Sequence, residues 1–481
     1  MCQEIENDKL KIFNDILEPF ATYTDYFEDS HLPGLDGFGI DLASVDILPS
    51  GSLYDGMCTR IPQSYFEVKT QCNELIKDRD FDLMLVVKDM IIQDLDNIRN
   101  ISIRSISSQV GLIFFYFSNS NYGKIYDYSN NEFLCSDEFV NQCTTKYIDP
   151  NAMTHVVSHK KSGPAINVTI IGNLSYVYST DLVFALHCPV WPSIVSSWKT
   201  RVQCHGWLND EVVEDIIQTN GFHVVPVGRK SSANKNNEWR ISFSNVEKRL
   251  ARLLKPHQKQ CYGLLRSLLK IINSAEAITN NISKALFFRF CENNTETASS
   301  TASHFLKLIA FVIDSLSSKY IEHYFIDKCN LLDGISDHII DNVVIILTKF
   351  HQNPIQFFAD KNSDILFSPY LLASIEKLSH LYVYGDRQKF TFYRDMNQII
   401  SYINHCSETT DGADVVSALN VKFFRTTFTM VNTCTDEKVL DSIIDHMRYL
   451  ADSIGWSLTT SEKEEIAHQW ALCITVIVDH E

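Results

Sequence analysis

The chain has 481 residues, and 42 Lys and Arg against 59 Asp and Glu leave a net charge of −17, which excludes a uniformly basic nucleic-acid coat. With 45% hydrophobic and 21% charged residues, it has the composition of a packed globular protein rather than a disordered or fibrous one. The length predicts two or three domains.

Residues 8–27 place Leu10, Ile12, Phe13, Ile16, Leu17, Phe20 and Tyr23 at helical spacing with acids opposite, which predicts a long amphipathic helix ended by the turn-rich stretch 33–37. Apolar runs rich in β-branched and aromatic residues follow at 83–87, 110–117, 166–171 and 182–186 and predict a sheet. From about Trp198 the pattern turns helical, with segments at 210–218, 245–254, 258–272, 282–290, 303–316 and 335–350. A loop at 353–369 leads into a last helical segment, 370–480. No apolar run reaches the roughly 18 residues of a membrane span. The acidic N-terminus lacks the basic flank and apolar stretch of a signal peptide, and the 13 cysteines form no CxxC and read as reduced thiols. The expectation is a cytoplasmic protein.

Three short segments carry candidate chemistry. Asp80-Phe81-Asp82 enters the apolar run 83–87, and on a strand both carboxylates project to one face. Two crowded carboxylates repel unless a cation lies between them, and hard oxygen donors suit Mg²⁺; solvated turn chemistry is the other reading. Gly51-Ser52 can offer backbone N–H groups and a hydroxyl to phosphate oxygens, or form a plain turn with a Ser cap. Asp181 heads another strand, where it is either a turn residue or the third acid of a two-metal cradle. Charge is also uneven: residues 226–270 hold eleven Lys and Arg against Glu238 and Glu247.

The segment Glu238-Trp239-Arg240-Ile241-Ser242-Phe243-Ser244-Asn245-Val246-Glu247-Lys248 resembles a signature of cyclic GMP-AMP synthase and its animal relatives, the cGAS-like receptors. Further matches are Lys161-Ser162-Gly163-Pro164, Trp207-Leu208, Lys284-Ala285-Leu286-Phe287-Phe288 and Glu322-His323-Tyr324-Phe325-Ile326, and together they span most of 48–350. The resemblance implies an α+β protein: a nucleotidyltransferase-fold lobe at 1–195 with a central mixed sheet and an N-terminal spine helix, an all-helical lobe at 196–358, and a C-terminal helical extension at 359–481. It implies Asp80, Asp82 and Asp181 as the catalytic, metal-binding acids for Mg²⁺ or Mn²⁺. It implies Gly51, Ser52, Arg240, Ser242, Ser244, Glu247, Arg266 and Lys284 as the nucleotide contacts, with ATP, GTP or other nucleoside triphosphates as substrates and a cyclic dinucleotide as product. Arg229, Lys230, Lys235, Lys255 and Lys259 are the expected contacts to double-stranded nucleic acid, RNA in preference to DNA because its shape and backbone need no base-reading motif. A ligand-induced dimer follows by analogy.

Three departures bear on these expectations. Ser52 and Asp80 stand 28 positions apart, so an insertion lies between them. Asn281 stands where the vertebrate enzyme stacks a base on a Tyr. Only 255–260 separates Leu254 from Cys261, so no structural zinc is expected. The alternative to an enzyme is a catalytically silent relative that binds a nucleotide and recruits a partner. Likewise, the basic belt is either a duplex-binding surface or a mixture of pocket residues and a solvated helix face.

Overall fold

A computed structural model describes residues 2–17, 24–25, 39–50, 58–59, 80–94, 112–117, 120–127, 129–149, 156–162, 165–171, 177–229, 232–294 and 300–361, with residues 375, 378–380, 382–384, 390 and 394 beyond them. The expected turn at 33–37 and almost all of the expected C-terminal helical segment lie outside the described residues.

The order begins with α1 (Cys2–Leu17), β1 (Thr24–Asp25), β2 (Val45–Ser50), β3 (Cys58–Thr59), β4 (Asp80–Asp94), β5 (Leu112–Tyr116), β6 (Tyr122–Asp127) and β7 (Glu132–Phe133). Then come α2 (Ser136–Tyr147), β8 (Val156–Ser162), β9 (Ala165–Ile171), β10 (Val177–Cys188), α3 (Ser196–His205), α4 (Asp210–Asn220), β11 (Phe222–Val225) and β12 (Trp239–Ser242). The described helices after β12 are α5 (Ser244–Leu253), α6 (Pro256–Ile271), α7 (Asn280–Asn293), α8 (Thr301–Ser317), α9 (Asp337–Gln352) and α10 (Pro354–Lys361).

The main sheet is mixed. β4 runs parallel to β10 and to β5, while β2–β4, β5–β6, β6–β12, β12–β11, β11–β10, β10–β9 and β9–β8 are antiparallel. The pairings from β4 through β5, β6, β12, β11 and β10 return to β4, so six strands close on themselves. Leu83, Leu85 and Val87 of β4 and Leu182, Phe184 and Leu186 of β10 are buried in the large core, while Met84, Val86, Ala185 and Val225 form a second, smaller apolar cluster. Both faces of the two central strands are therefore covered, which is why their sequences read as continuous apolar runs rather than as alternation.

The sheet reaches further along the chain than expected. β11 and β12 fall inside the segment read as all helical, so the division at residue 195 does not mark the end of the sheet. Each of the two strands has four residues, too few for a period-2 pattern to stand out between long amphipathic helices. Gly221 sets up β11: its φ is +52°, and a Cβ there would lie 2.1 Å from the Cys188 carbonyl oxygen.

The helices pack where their apolar faces and caps direct. α1 buries Phe13, Ile16 and Leu17, with Phe13 edge-on to Phe350 of α9 at 6.4 Å, and the Asn14 side chain accepts the Ala302 N–H at the start of α8. Asn209, Thr279 and Ser300 cap α4, α7 and α8 with side-chain oxygens. No helix among the described residues is long and apolar enough to cross a membrane.

Several imidazoles are enclosed by this packing. Burial pushes His223 down to about 3, with His187 stacked on it adding repulsion, and burial pushes His304 down to about 4. These rings stay neutral in the fold while the unfolded chain takes up protons below about 6.5, so the unfolded state binds more protons and stability falls as pH drops below that value. The unfolding free energy measured in urea should therefore decrease from pH 7 to pH 5, by at most about 1.4 kcal/mol per pH unit for each such group, and His223→Gln should flatten part of that slope.

Candidate functional site

Register assembles the site. In the parallel β4–β10 ladder Asp181 lies directly opposite Asp82, and in the antiparallel ladders Ser50 lies opposite Asp82 and Asn167 opposite Asp181. One row across β2, β4, β10 and β9 thus reads Ser50, Asp82, Asp181, Asn167, with neighbours about 4.8 Å apart. Ser50 Oγ donates to the Asp82 carbonyl oxygen at 3.2 Å, and the Asn167 amide donates to Asp181 Oδ1 at 2.9 Å. Asp80 opens β4 opposite Ser179; its side chain lies outside those described, as do Gly51 and Ser52 altogether. Among the described residues no three acidic, His or Cys side chains converge on one point.

Asp82 opens onto a cavity of about 270 Å³. The strands give it an apolar wall of Met84, Val183 and Val225, two or four positions along from the acids on the same face or on the neighbouring strand. The polar part of the lining comes from β12, α5, α6 and α7: Arg240, Ser242, Ser244, Glu247, Arg266 and Lys284. Asp181 is beside Asp82 in register but is not one of the lining residues.

Local structure explains how the Trp-Arg-Ile-Ser segment serves two surfaces. On β12, Trp239 and Ile241 are buried, with the Trp239 ring 5.0 Å from Phe139 and its Nε1 donating to the Leu134 carbonyl at 3.1 Å. Alternation then leaves Arg240 and Ser242 half-buried at the cavity. The chain turns at Phe243 into α5, which brings Ser244 within 2.8 Å of Ser242 (Oγ to Oγ) and places Glu247 in the first turn. Glu247 pairs with Lys284 of α7 at 3.0 Å, with the two side chains 15% and 10% exposed, and Arg266 of α6 donates to Asn280 Oδ1 at 3.2 Å.

The basic belt divides into three. Arg240 and Arg266 belong to the cavity. Arg229, Lys248 and Arg249 are engaged by the protein itself: Lys248 is buried with Nζ 3.5 Å from the Pro49 carbonyl oxygen, and Arg249 pairs with Asp215 of α4. Arg229 makes a fork to the buried Glu238 through Nε and Nη2 at 3.1 and 2.9 Å, and its guanidinium lies over the Phe117 ring at 4.7 Å. The hydrogen bonds from Arg229, ahead of that from Ser232, hold the Glu238 carboxyl down at about 2. Arg252, Lys255 and Lys270 are exposed and Lys259 is half-buried; burial and the charge of Arg252 push the Lys259 ammonium below its ordinary value. Arg252, Lys255 and Lys259 lie at the α5–α6 junction and Lys270 at the other end of α6, whereas Lys235 is exposed on a short 3₁₀ turn and Lys230 lies outside the described residues.

Reading the sequence missed Met84, Asn121, Val183, Val225, Asn280 and His323 as cavity residues. Met84 and Val183 follow the acids by two positions and were accessible from the strand period. Asn121 and His323 sit in loop or turn segments that carry no period.

The family model described as Mab-21 protein nucleotidyltransferase domain matches residues 135–252, and that of the Mab-21 protein HhH/H2TH-like domain matches 257–349. A curated relative, Cyclic GMP-AMP synthase of Mus musculus, is 28% identical over 211 residues, 39% of this chain. Residues 135–252 and 257–349 thus match the two Mab-21 domains in tandem, which supports the resemblance to the cGAS-like proteins. The chain spans 39% of the length of that mouse relative. The two matched Mab-21 domains meet at 252–257, the α5–α6 junction, and the cavity draws its polar wall from both sides of it: Arg240 to Glu247 from the first, Arg266 and Lys284 from the second.

The Arg229–Glu238 fork predicts a stability role for Arg229. Arg229→Ala strips a buried carboxylate of its partner and should lower the unfolding free energy in urea at pH 7 by about 2 kcal/mol, less than the full cost of breaking a buried pair because the guanidinium is 44% exposed.

Proposed function

We propose that this protein joins nucleoside triphosphates into a cyclic dinucleotide, and does so when double-stranded nucleic acid occupies the basic cluster around α6. The observation that carries the reading is the Asp82–Asp181 register pair beside a cavity whose polar wall is Arg240, Ser242, Ser244, Glu247, Arg266 and Lys284. Its chemistry suits a nucleotide at both ends. The apolar wall of Met84, Val183 and Val225 can take the flat face of a base, and the three cations can neutralise a triphosphate. The name of the mouse relative supports a cyclic dinucleotide as the product.

Asp82 and Asp181 are hard oxygen donors in adjacent register, a set that fits Mg²⁺ or Mn²⁺, with Asp80 on the same strand as the third acid. Bound there, divalent ions would lower the pKa of an attacking ribose hydroxyl and offset the charge on the leaving pyrophosphate. The chain's own contribution is placement. Asn167 fixes the orientation of Asp181, Ser50 ties the end of β2 to β4 beside Asp82, and Lys284 and Arg266 line the same cavity as Asp82, where they can meet phosphate oxygens. The exposed cations are Lys and Arg on helix surfaces, suited to the backbone phosphates of a duplex, and RNA is favoured because its duplex is bound through shape and backbone without base reading.

The test is incubation of the purified chain with labelled ATP, GTP, CTP and UTP and Mg²⁺ or Mn²⁺, with and without duplex RNA or DNA, followed by analysis of phosphatase-resistant products. A cyclic dinucleotide should form with one duplex, and Asp82→Asn and Asp181→Asn should each reduce it by roughly a thousandfold or more. Absence of product under every condition, with triphosphate binding retained, would instead assign the chain to the nucleotide-binding, non-catalytic class.

A further inference from the structure

His323 lines the cavity and is buried. Its Nδ1 accepts the backbone N–H groups of Phe325 and Ile326, both at 3.2 Å. A ring nitrogen that accepts carries no proton, so the neutral imidazole has its proton on Nε2. Burial pushes the ring down to about 4; Glu247 acts against this, and Arg240, Arg201 and Arg289 act with it. The ring is neutral at pH 7.

The turn that carries His323 is fixed from several directions. Its own backbone N–H donates to the Cys329 carbonyl at 2.8 Å. The neighbouring Tyr324 ring lies near the guanidinium groups of Arg201 and Arg289, 5.3 and 5.7 Å away, and Arg289 pairs with Glu322 at 3.0 Å. The Phe243 and Phe325 rings flank the imidazole at 5.9 and 6.1 Å. With Nδ1 taken up by the turn, the polar atom left on this cavity-lining ring is Nε2, and it can only donate. Such a donor needs no rearrangement to act.

We propose that His323 is a specificity-determining residue, its Nε2–H donating to an acceptor on the base edge of a bound nucleoside triphosphate; this rests on the nucleotide reading of the cavity. The phosphates have cations to meet them in Arg240, Arg266 and Lys284, whereas a neutral donor framed by aromatic rings suits a neutral heterocycle. A base that presents its own N–H at that point leaves two donors facing each other, and an unpaired buried polar group is what separates otherwise similar ligands.

The experiment measures affinities of the full chain for ATP, GTP, CTP and UTP by calorimetry with Mg²⁺ present. The wild type should rank the four, and His323→Phe should weaken the preferred triphosphate roughly tenfold more than the least preferred. His323→Asn should keep most of the ranking, since its Oδ1 can take the two backbone N–H bonds and its Nδ2–H can donate. An unchanged ranking in His323→Phe overturns the proposal alone. No binding of any triphosphate by the wild type overturns the nucleotide reading and this proposal with it. Long-range ¹H–¹⁵N correlation on the wild type is independent of whether the variants fold: at pH 7 His323 should show a bare Nδ1 and a protonated Nε2, and the opposite tautomer or an imidazolium overturns the proposal.

Discussion

The parallel pairing of β4 with β10 is the constraint on which the cavity depends. It sets Asp82 against Asp181 and, four residues further on, Val86 against Ala185. Side chains alternate with a period of two, so a slip by one residue would send the acids into the core and the core residues to the cavity. The slip is prohibitive because Leu83, Leu85, Leu182 and Phe184 are fully buried on the other face. The hydrophobic core thus specifies the acid pair, and chemistry that is costly to assemble is held by packing that favours folding.

The charge distribution follows the same division of labour. A chain with a net charge of −17 concentrates eleven of its 42 Lys and Arg in residues 226–270 and uses them in three ways, in ion pairs and forks within the protein, in the cavity wall and at the exposed surface around α6. The members engaged by the protein act as struts: Arg229 braces the 229–238 connection against Glu238, Arg249 ties α5 to α4, and Lys248 reaches the carbonyl just ahead of Ser50. A belt that looks uniform in sequence is therefore heterogeneous in space, with Arg252, Lys255 and Lys270 among its exposed members.

Much of this was legible before any coordinates. The apolar runs at 83–87 and 182–186 lie within β4 and β10, and the helices expected between 210 and 350 fall within three residues of their expected ends, because long stretches of consistent period leave little freedom. The six described side chains read as nucleotide contacts line one cavity, since Arg240 to Glu247 are linked by one strand-to-helix turn. What was not legible depends on partners distant in sequence. Nothing in the run Trp239 to Ser242 announces pairing with Tyr122 and Gly123, or with Val224 and Val225, and nothing near Arg229 announces that Glu238 claims it. The role of His323 likewise depends on a turn whose bonds are made by backbone groups, which every sequence possesses.

Gly221 links a remote position to ligand recognition. Its left-handed backbone and the Cys188 carbonyl leave no room for a side chain, yet the residue lies outside the cavity. It begins the strand that β12 pairs with, and β12 presents Arg240 and Ser242. A larger residue there would push β11 from β10 and, through β12, shift the part of the polar wall made by Arg240 and Ser242. A defect at this glycine would then present as altered ligand affinity in a chain whose contact residues are all intact, so sequence comparison limited to the cavity would misjudge which natural variants remain functional.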